Sequence, residues 1–251
     1  MAAAEAESRR IGDLTFQEIP GSITARSVLC LPFGSMEQHG PHLPLGVDWM
    51  LANAVAEGVG EKLNAYVLPA MPFGASQAHK GFRGSVWIDH NTLAAVVKDL
   101  AHCLMEQGFR RIVIMNMHGG NIVLKVAVRD LNFNQSDCRV LLVFPQAVAT
   151  QNLVGVIENV TVEGHAGEFE TSMMLHLHPD LVQGSGPDCL PTVPPDFLDY
   201  LPMQLATPTG VWGRASFAST AKGERAFKIV VDKTAAMIAA SFQRLDEIAQ
   251  K

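Results

Sequence analysis

Arg111-Ile-Val-Ile-Met-Asn116, running on through Met117 into His118-Gly-Gly-Asn121, decides the fold class. Its unbroken apolar run describes a strand covered on both faces, as in a parallel sheet wrapped by helices. The strand ends directly in a glycine turn that carries a histidine. Working outward, the pattern recurs. Residues 27–33 form an apolar run ended by Gly34, residues 65–71 one ended by Pro72 and Gly74, and residues 139–144 a fourth. Helical spacing separates them. Met50, Leu51, Val55, Val59 and Leu63 recur on one helix. Leu93, Val96, Val97, Leu100 and Leu104 recur on a second, for which Asn91 or Thr92 is the expected cap and Gly108 the stop. Residues 122–132 read as a third helix. Glu163-Gly-His-Ala-Gly-Glu-Phe-Glu-Thr-Ser172 opens a short one, and residues 222–250 form a long last one. Residues 145–162 read as irregular and 184–220 as surface loops.

Strands alternating with helices imply parallel pairing through right-handed crossovers. The expected fold is therefore α/β, a single domain with a mostly parallel sheet and helices on both faces. It spans residues 26–251, after an N-terminal extension over residues 1–25. Ligands of such sheets bind at the carboxyl ends of the strands.

Composition narrows the function. The 251 residues are 48% hydrophobic and 18% charged, ordinary for a compact protein. A net charge of −6 without a basic, aromatic-interleaved run argues against nucleic acid. No apolar stretch approaches a membrane span, and the small, polar first ten residues lack the apolar core of a signal peptide. The four cysteines are scattered, and Cys30 and Cys103 sit in apolar patterns that predict buried thiols. A cytoplasmic location is expected.

Chemistry concentrates after the strands. Residues 31–48 hold Glu37, His39, His42 and Asp48 among three prolines and three glycines, which stiffen the loop. His118 follows the third strand, and His165, Glu168 and Glu170 come later. The imidazoles of His39 and His118 and up to four carboxylates around one sheet edge suit zinc, manganese, iron or cobalt, and not a thiolate site. That is more than one ion needs, which points to two divalent metal ions bridged by a carboxylate. Such a pair activates water and polarises a carbonyl. His42 is expected to be structural or to bond a ligand carboxylate. Ser76 and His79 are expected to line the substrate pocket.

Three of these segments carry a resemblance. Glu37-Gln-His-Gly-Pro-His-Leu-Pro-Leu-x-x-Asp48, Asn116-x-His-Gly-Gly-Asn121 and His165-Ala-Gly-Glu-x-Glu-Thr-Ser172 resemble the signatures of the creatininase (creatinine amidohydrolase) family. Gly74-Ala-Ser-Gln-Ala-His79 is similar to the family's Gly-x-Ser-x-x-His element. Gly210-Val-Trp-Gly213 and Ala218-Ser-Thr-Ala-Lys-Gly223 are similar to its C-terminal segment. The resemblance implies a creatininase-like fold, a dinuclear site holding zinc, manganese or iron, a small-molecule substrate and a homo-oligomer, commonly a hexamer. It places Glu37 and His118 on one metal, His39 on the other and Asp48 as the bridge. His165 matches the catalytic histidine, with Glu168 a second candidate for that role or for orienting it.

Two departures qualify it. Creatininase has a carboxylate two residues after the histidine of the second motif, where this chain has Gly120, so Glu170 is the expected last ligand, with Glu168 competing for that place. Creatininase also encloses its substrate with tryptophans in the loop before the catalytic histidine, and residues 146–164 contain none. The expected enzyme is thus an amidohydrolase of a small amide or cyclic amide, not specific for creatinine. A lactonase or deformylase of the same family is the alternative. A non-enzymatic binding or assembly protein that keeps metal for structure is the rival from another class.

Overall fold

The computed structural model describes residues 9–19, 23–134, 137–158, 160 and 162–250. Strand β1 (Val28–Phe33) leads through a long loop into helix α1 (Val47–Leu63), and strand β2 (Tyr66–Val67) follows. Helix α2 (His90–Glu106), strand β3 (Arg111–Asn116), helix α3 (Leu124–Asn134) and strand β4 (Arg139–Val143) complete the sheet region. Beyond it come α4 (Pro145–Leu153), α5 (Glu168–Leu177), β5 (Asp188–Cys189), α6 (Met203–Ala206), β6 (Gly213–Arg214) and α7 (Thr220–Ala249). The main sheet is parallel throughout, in the order β2-β1-β3-β4. A small antiparallel ribbon pairs β5 with β6.

Alternate strand residues enter two separate cores. Leu29, Leu31, Phe33, Ile112 and Ile114 pack against Leu93, Val97, Ala101 and Leu104 of α2 and Leu124, Ala127 and Leu131 of α3. Cys30, Val113, Met115 and Val143 pack on the opposite face against α1, α4, α5 and α7. Each large side chain so buried contributes roughly 1.5–3 kcal/mol, which is what fixes the register of the two faces.

Where sequence and structure differ, the local chemistry explains it. The second run forms a continuous ladder only at Tyr66 and Val67, because Pro69 has no N–H to extend it; pairing with β1 resumes as an isolated bridge between Met71 and Phe33. Asp89 caps α2, accepting the Asn91 N–H at 2.8 Å ahead of the expected Asn91 or Thr92. Residues 145–153 are helical, with Pro145 at the first position, where its missing N–H costs nothing. Cys30 is buried as expected, but Cys103 is exposed, off the apolar stripe of α2. In the extension, the carbonyl of Arg9 accepts the Val67 N–H at 2.9 Å. No helix among the described residues is long and apolar enough to cross a membrane.

The topology makes one cleft. From β1 the chain crosses by α1 to β2, then by α2 back over the sheet to β3, so the winding reverses between β1 and β3. Phe33 and Asn116, their last residues, are register partners. The two loops that follow start side by side, at the place where open parallel sheets bind ligands.

Candidate metal centre

The loop after β1 brings Glu37, His39 and, in the first turn of α1, Asp48 into one buried group. His118 joins them from the end of β3. Asp48 Oδ1 lies 3.1 Å from His39 Nε2, and its Oδ2 lies 3.1 Å from His118 Nδ1. Glu37 Oε2 is also 3.1 Å from His118 Nδ1. Glu170, from the first turn of α5, places Oε2 3.8 Å from His39 Nε2 and accepts the Ala166 N–H at 2.6 Å.

Each histidine is oriented by its other nitrogen. His39 Nδ1 donates to the Glu37 carbonyl at 3.1 Å, and His118 Nε2 donates to the Ala75 carbonyl at 3.3 Å. The remaining lone pairs, His39 Nε2 and His118 Nδ1, therefore aim at the carboxylates, the arrangement of metal-ligating imidazoles. Glu37 Oε2 and Asp48 Oδ2 are buried without a hydrogen bond of good geometry. Two buried carboxylates, Glu37 and Asp48, with half-buried Glu170 beside them, leave negative charge that a cation would neutralise. The donor set fits divalent metal.

Electrostatics say the same. Burial alone would lower His39, but Asp48, Glu170 and Glu37 raise it to about 9. His118 is likewise held well above its ordinary value against its burial, by Glu37 and Asp48. Burial pushes Glu170 up to about 7. Without a cation, protons fill its place.

His165 behaves differently. Burial and the neighbouring His39 and His79 hold it well below its ordinary value. Its Nε2–H donates to the Gln38 carbonyl at 2.6 Å, leaving Nδ1 as a free acceptor 3.7 Å from Glu37 Oε1. Its ring lies 4.2 Å from that of His39 and 4.6 Å from that of His79. The following residue, Ala166, has φ +52, a strained conformation that the Trp212 backbone helps to hold through hydrogen bonds with His165 in both directions.

The other expected residues separate. His79 donates from Nε2 to Glu37 Oε1 at 3.2 Å, while Gln38 Nε2 donates to its Nδ1 at 3.1 Å, so it braces Glu37 as well as lining a cavity. Ser76 Oγ is buried, unpartnered and at the same cavity wall. Glu168 is not brought into the cluster. Its Oε1 pairs with Lys222 Nζ at 2.6 Å and its Oε2 accepts the Glu158 N–H at 2.9 Å, which turns the carboxylate away. His42 does not bond a ligand carboxylate either; its Nε2 donates to Thr171 Oγ1 at 2.9 Å. At Gly120, any side chain would overlap the Ala75 carbonyl oxygen and His118 Nε2, so no ligand can come from that position.

Sequence reading gave no role to Gln38, Asn116 or Asn121. Asn121 Nδ2 donates to Asn116 Oδ1 at 2.8 Å and to the Gly34 carbonyl, and its Oδ1 accepts the Ala75 N–H. One amide thereby ties three site loops together. All three residues stood inside the motifs; what was missing was the distant partners of two of them, His79 for Gln38 and Gly34 and Ala75 for Asn121. Two cavities meet at Glu37, His118 and His165. The smaller, about 280 Å³, is lined by Phe144, Gln146, Thr150, Glu163 and Glu170; the larger is about 690 Å³.

A parallel α/β domain with a buried histidine–carboxylate centre at its topological switch point is the scaffold of a metal-binding hydrolase. Residues 12–238 match the family model for creatininase, described as creatinine amidohydrolase. The creatinine amidohydrolase of Pseudomonas putida is 33% identical over 254 residues, covering 92% of this chain and 96% of that protein. A mycofactocin precursor peptide peptidase from Mycolicibacterium smegmatis is 33% identical over 219 residues, covering 82% and 81%. A crystal structure of creatininase superposes with TM-score 0.81 at 32% identity over 94% of this chain and 98% of that one. Solved creatininases described as a Zn-Zn type and as a Mn form have TM-scores of 0.80 and 0.81. The chain belongs to the creatininase family, and is a hydrolase acting on carbon–nitrogen bonds.

Proposed function

We propose that the chain hydrolyses a C–N bond of a small amide or cyclic amide at a dinuclear metal site. One observation carries this reading: the two oxygens of Asp48 each face a different histidine at 3.1 Å. Glu37 and His118 would hold one ion and His39 and Glu170 the other, with Asp48 shared between them. When bound, a pair of divalent ions supplies an activated water and polarises the scissile carbonyl. Zinc, manganese or iron all suit these donors.

The protein's own part is positioning and proton transfer. His165 is neutral, its tautomer set by Gln38, and its free Nδ1 accepts the proton of the attacking water. The same nitrogen then returns the proton to the leaving nitrogen. His79 and Gln38 keep Glu37 from rotating, and the buried surroundings exclude bulk water from the reacting groups. The smaller cavity has Phe144 and no tryptophan among its described lining residues, which supports a substrate other than creatinine. Residues 26–251 form the catalytic domain and residues 1–25 its extension. A cytoplasmic homo-oligomer, with a hexamer as the family's common form, is part of the proposal. Ile122, Val126 and Phe133, exposed on and beside α3, support a contact between copies.

Asp48→Ala tests the reading. Metal content and turnover of a panel of amides, formamides and lactones should fall together, by about 10²-fold or more in turnover. A metal-replete, fully active variant contradicts the bridge.

A further inference from the structure

The larger cavity holds features that the proposed chemistry does not use. Its 690 Å³ suits a ligand well beyond a single small ring. Ser76 is among its lining residues; it is 1% exposed, and its Oγ has no hydrogen-bond partner. A buried hydroxyl without a partner costs free energy unless a ligand completes it. The lining also takes in the one-turn helix Pro195–Asp199, with Asp196 and Asp199. Both are exposed, and neither has an ion pair among the described residues. Leu198 and Met203 add apolar lining, and no lysine or arginine is among the described lining residues.

We propose that this cavity selects an extended amide carrying a cationic amino group at the end remote from the scissile bond. This rests on the amidohydrolase reading above. The carbonyl side of the chain passes Ser76, whose hydroxyl donates to it. An apolar linker lies along Leu198 and Met203, and the ammonium reaches Asp196 and Asp199. An anionic tail meets two carboxylates with no compensating cation, so phosphorylated or carboxylate-ended amides are excluded.

Three hydroxamates of matched length test it against manganese-loaded protein: aminohexanohydroxamate, hexanohydroxamate and the monohydroxamate of adipic acid. Calorimetry should rank them ammonium, neutral, carboxylate, with about fivefold between neighbours at low salt, the scale of one exposed ion pair. In Asp196→Asn/Asp199→Asn the three affinities should converge to within about twofold, because neutral amides replace both charges. Equal affinities in the unmodified protein, or an unchanged ranking in the double variant, overturn the cationic selectivity and leave the metal reading standing. Failure of all three probes to bind overturns the amidohydrolase reading and the selectivity with it.

Discussion

At the scale of single residues, the site works because each imidazole has its proton placed by a carbonyl. His39, His118 and His165 all donate to backbone oxygens, which fixes the nitrogen that faces the centre. Removing His165 should therefore abolish turnover while metal content, read by atomic spectroscopy, stays near that of the unmodified protein. Unchanged turnover in His165→Ala contradicts the proton-transfer role. His42 gives a pH effect of defined sign. Burial lowers it to about 4, against an ordinary value near 6.5. Between those limits the unfolded chain takes up a proton that the folded one does not, so stability falls as pH drops through the window. Denaturant melts at pH 7, 6 and 5 should show that slope, and His42→Gln should flatten it. Gly120 shows how space overrides analogy. Gly120→Glu should lower metal affinity, measured by competition with a chelator, because the new side chain displaces His118.

Elements hold these residues through a few close contacts. Helix α7 crosses α5 where Gly223 meets the carbonyl of Ser172, with no room for a Cβ. Gly223→Ala should cost about 1–3 kcal/mol of stability, seen as a lower denaturation midpoint with unchanged slope. The same crossing holds Lys222 against Glu168. That pair explains why Glu168 could not be read from sequence: two carboxylates a residue apart open α5, and only the lysine fifty-four positions on separates their fates. Strands β1, β3 and β4 were legible because continuous apolar runs have one structural meaning in an α/β chain. Helix α4 was not, since its mean composition carries no amphipathic stripe and Pro145 reads as a breaker before its position is known. Glu37, His39 and His118 could be named as candidates because each closely follows a legible strand end, and Asp48 because it opens the legible helix after the first of them. The pairings that orient them, through Gln38, Ala75 and Asn121, depend on loops meeting in space.

For the whole molecule, two hydrophobic cores grip one small parallel sheet, and the cluster of buried carboxylates sits where the winding reverses. Such a centre opposes folding when empty, because like charges are buried together. Metal binding the folded state alone should stabilise it by about 2.7 kcal/mol at a hundredfold excess over the dissociation constant. Chelation should then lower the melting temperature by roughly 5–10 °C for a domain of this size. A melting curve that ignores chelator, in protein shown to have lost its metal, contradicts that linkage. The most direct measurement is anomalous diffraction from crystals of the protein loaded with manganese or zinc. Two peaks are expected on either side of Asp48, one beside Glu37 and His118 and the other beside His39 and Glu170. A single peak, or a second one ligated by Glu168 in place of Glu170, would contradict the bridged pair.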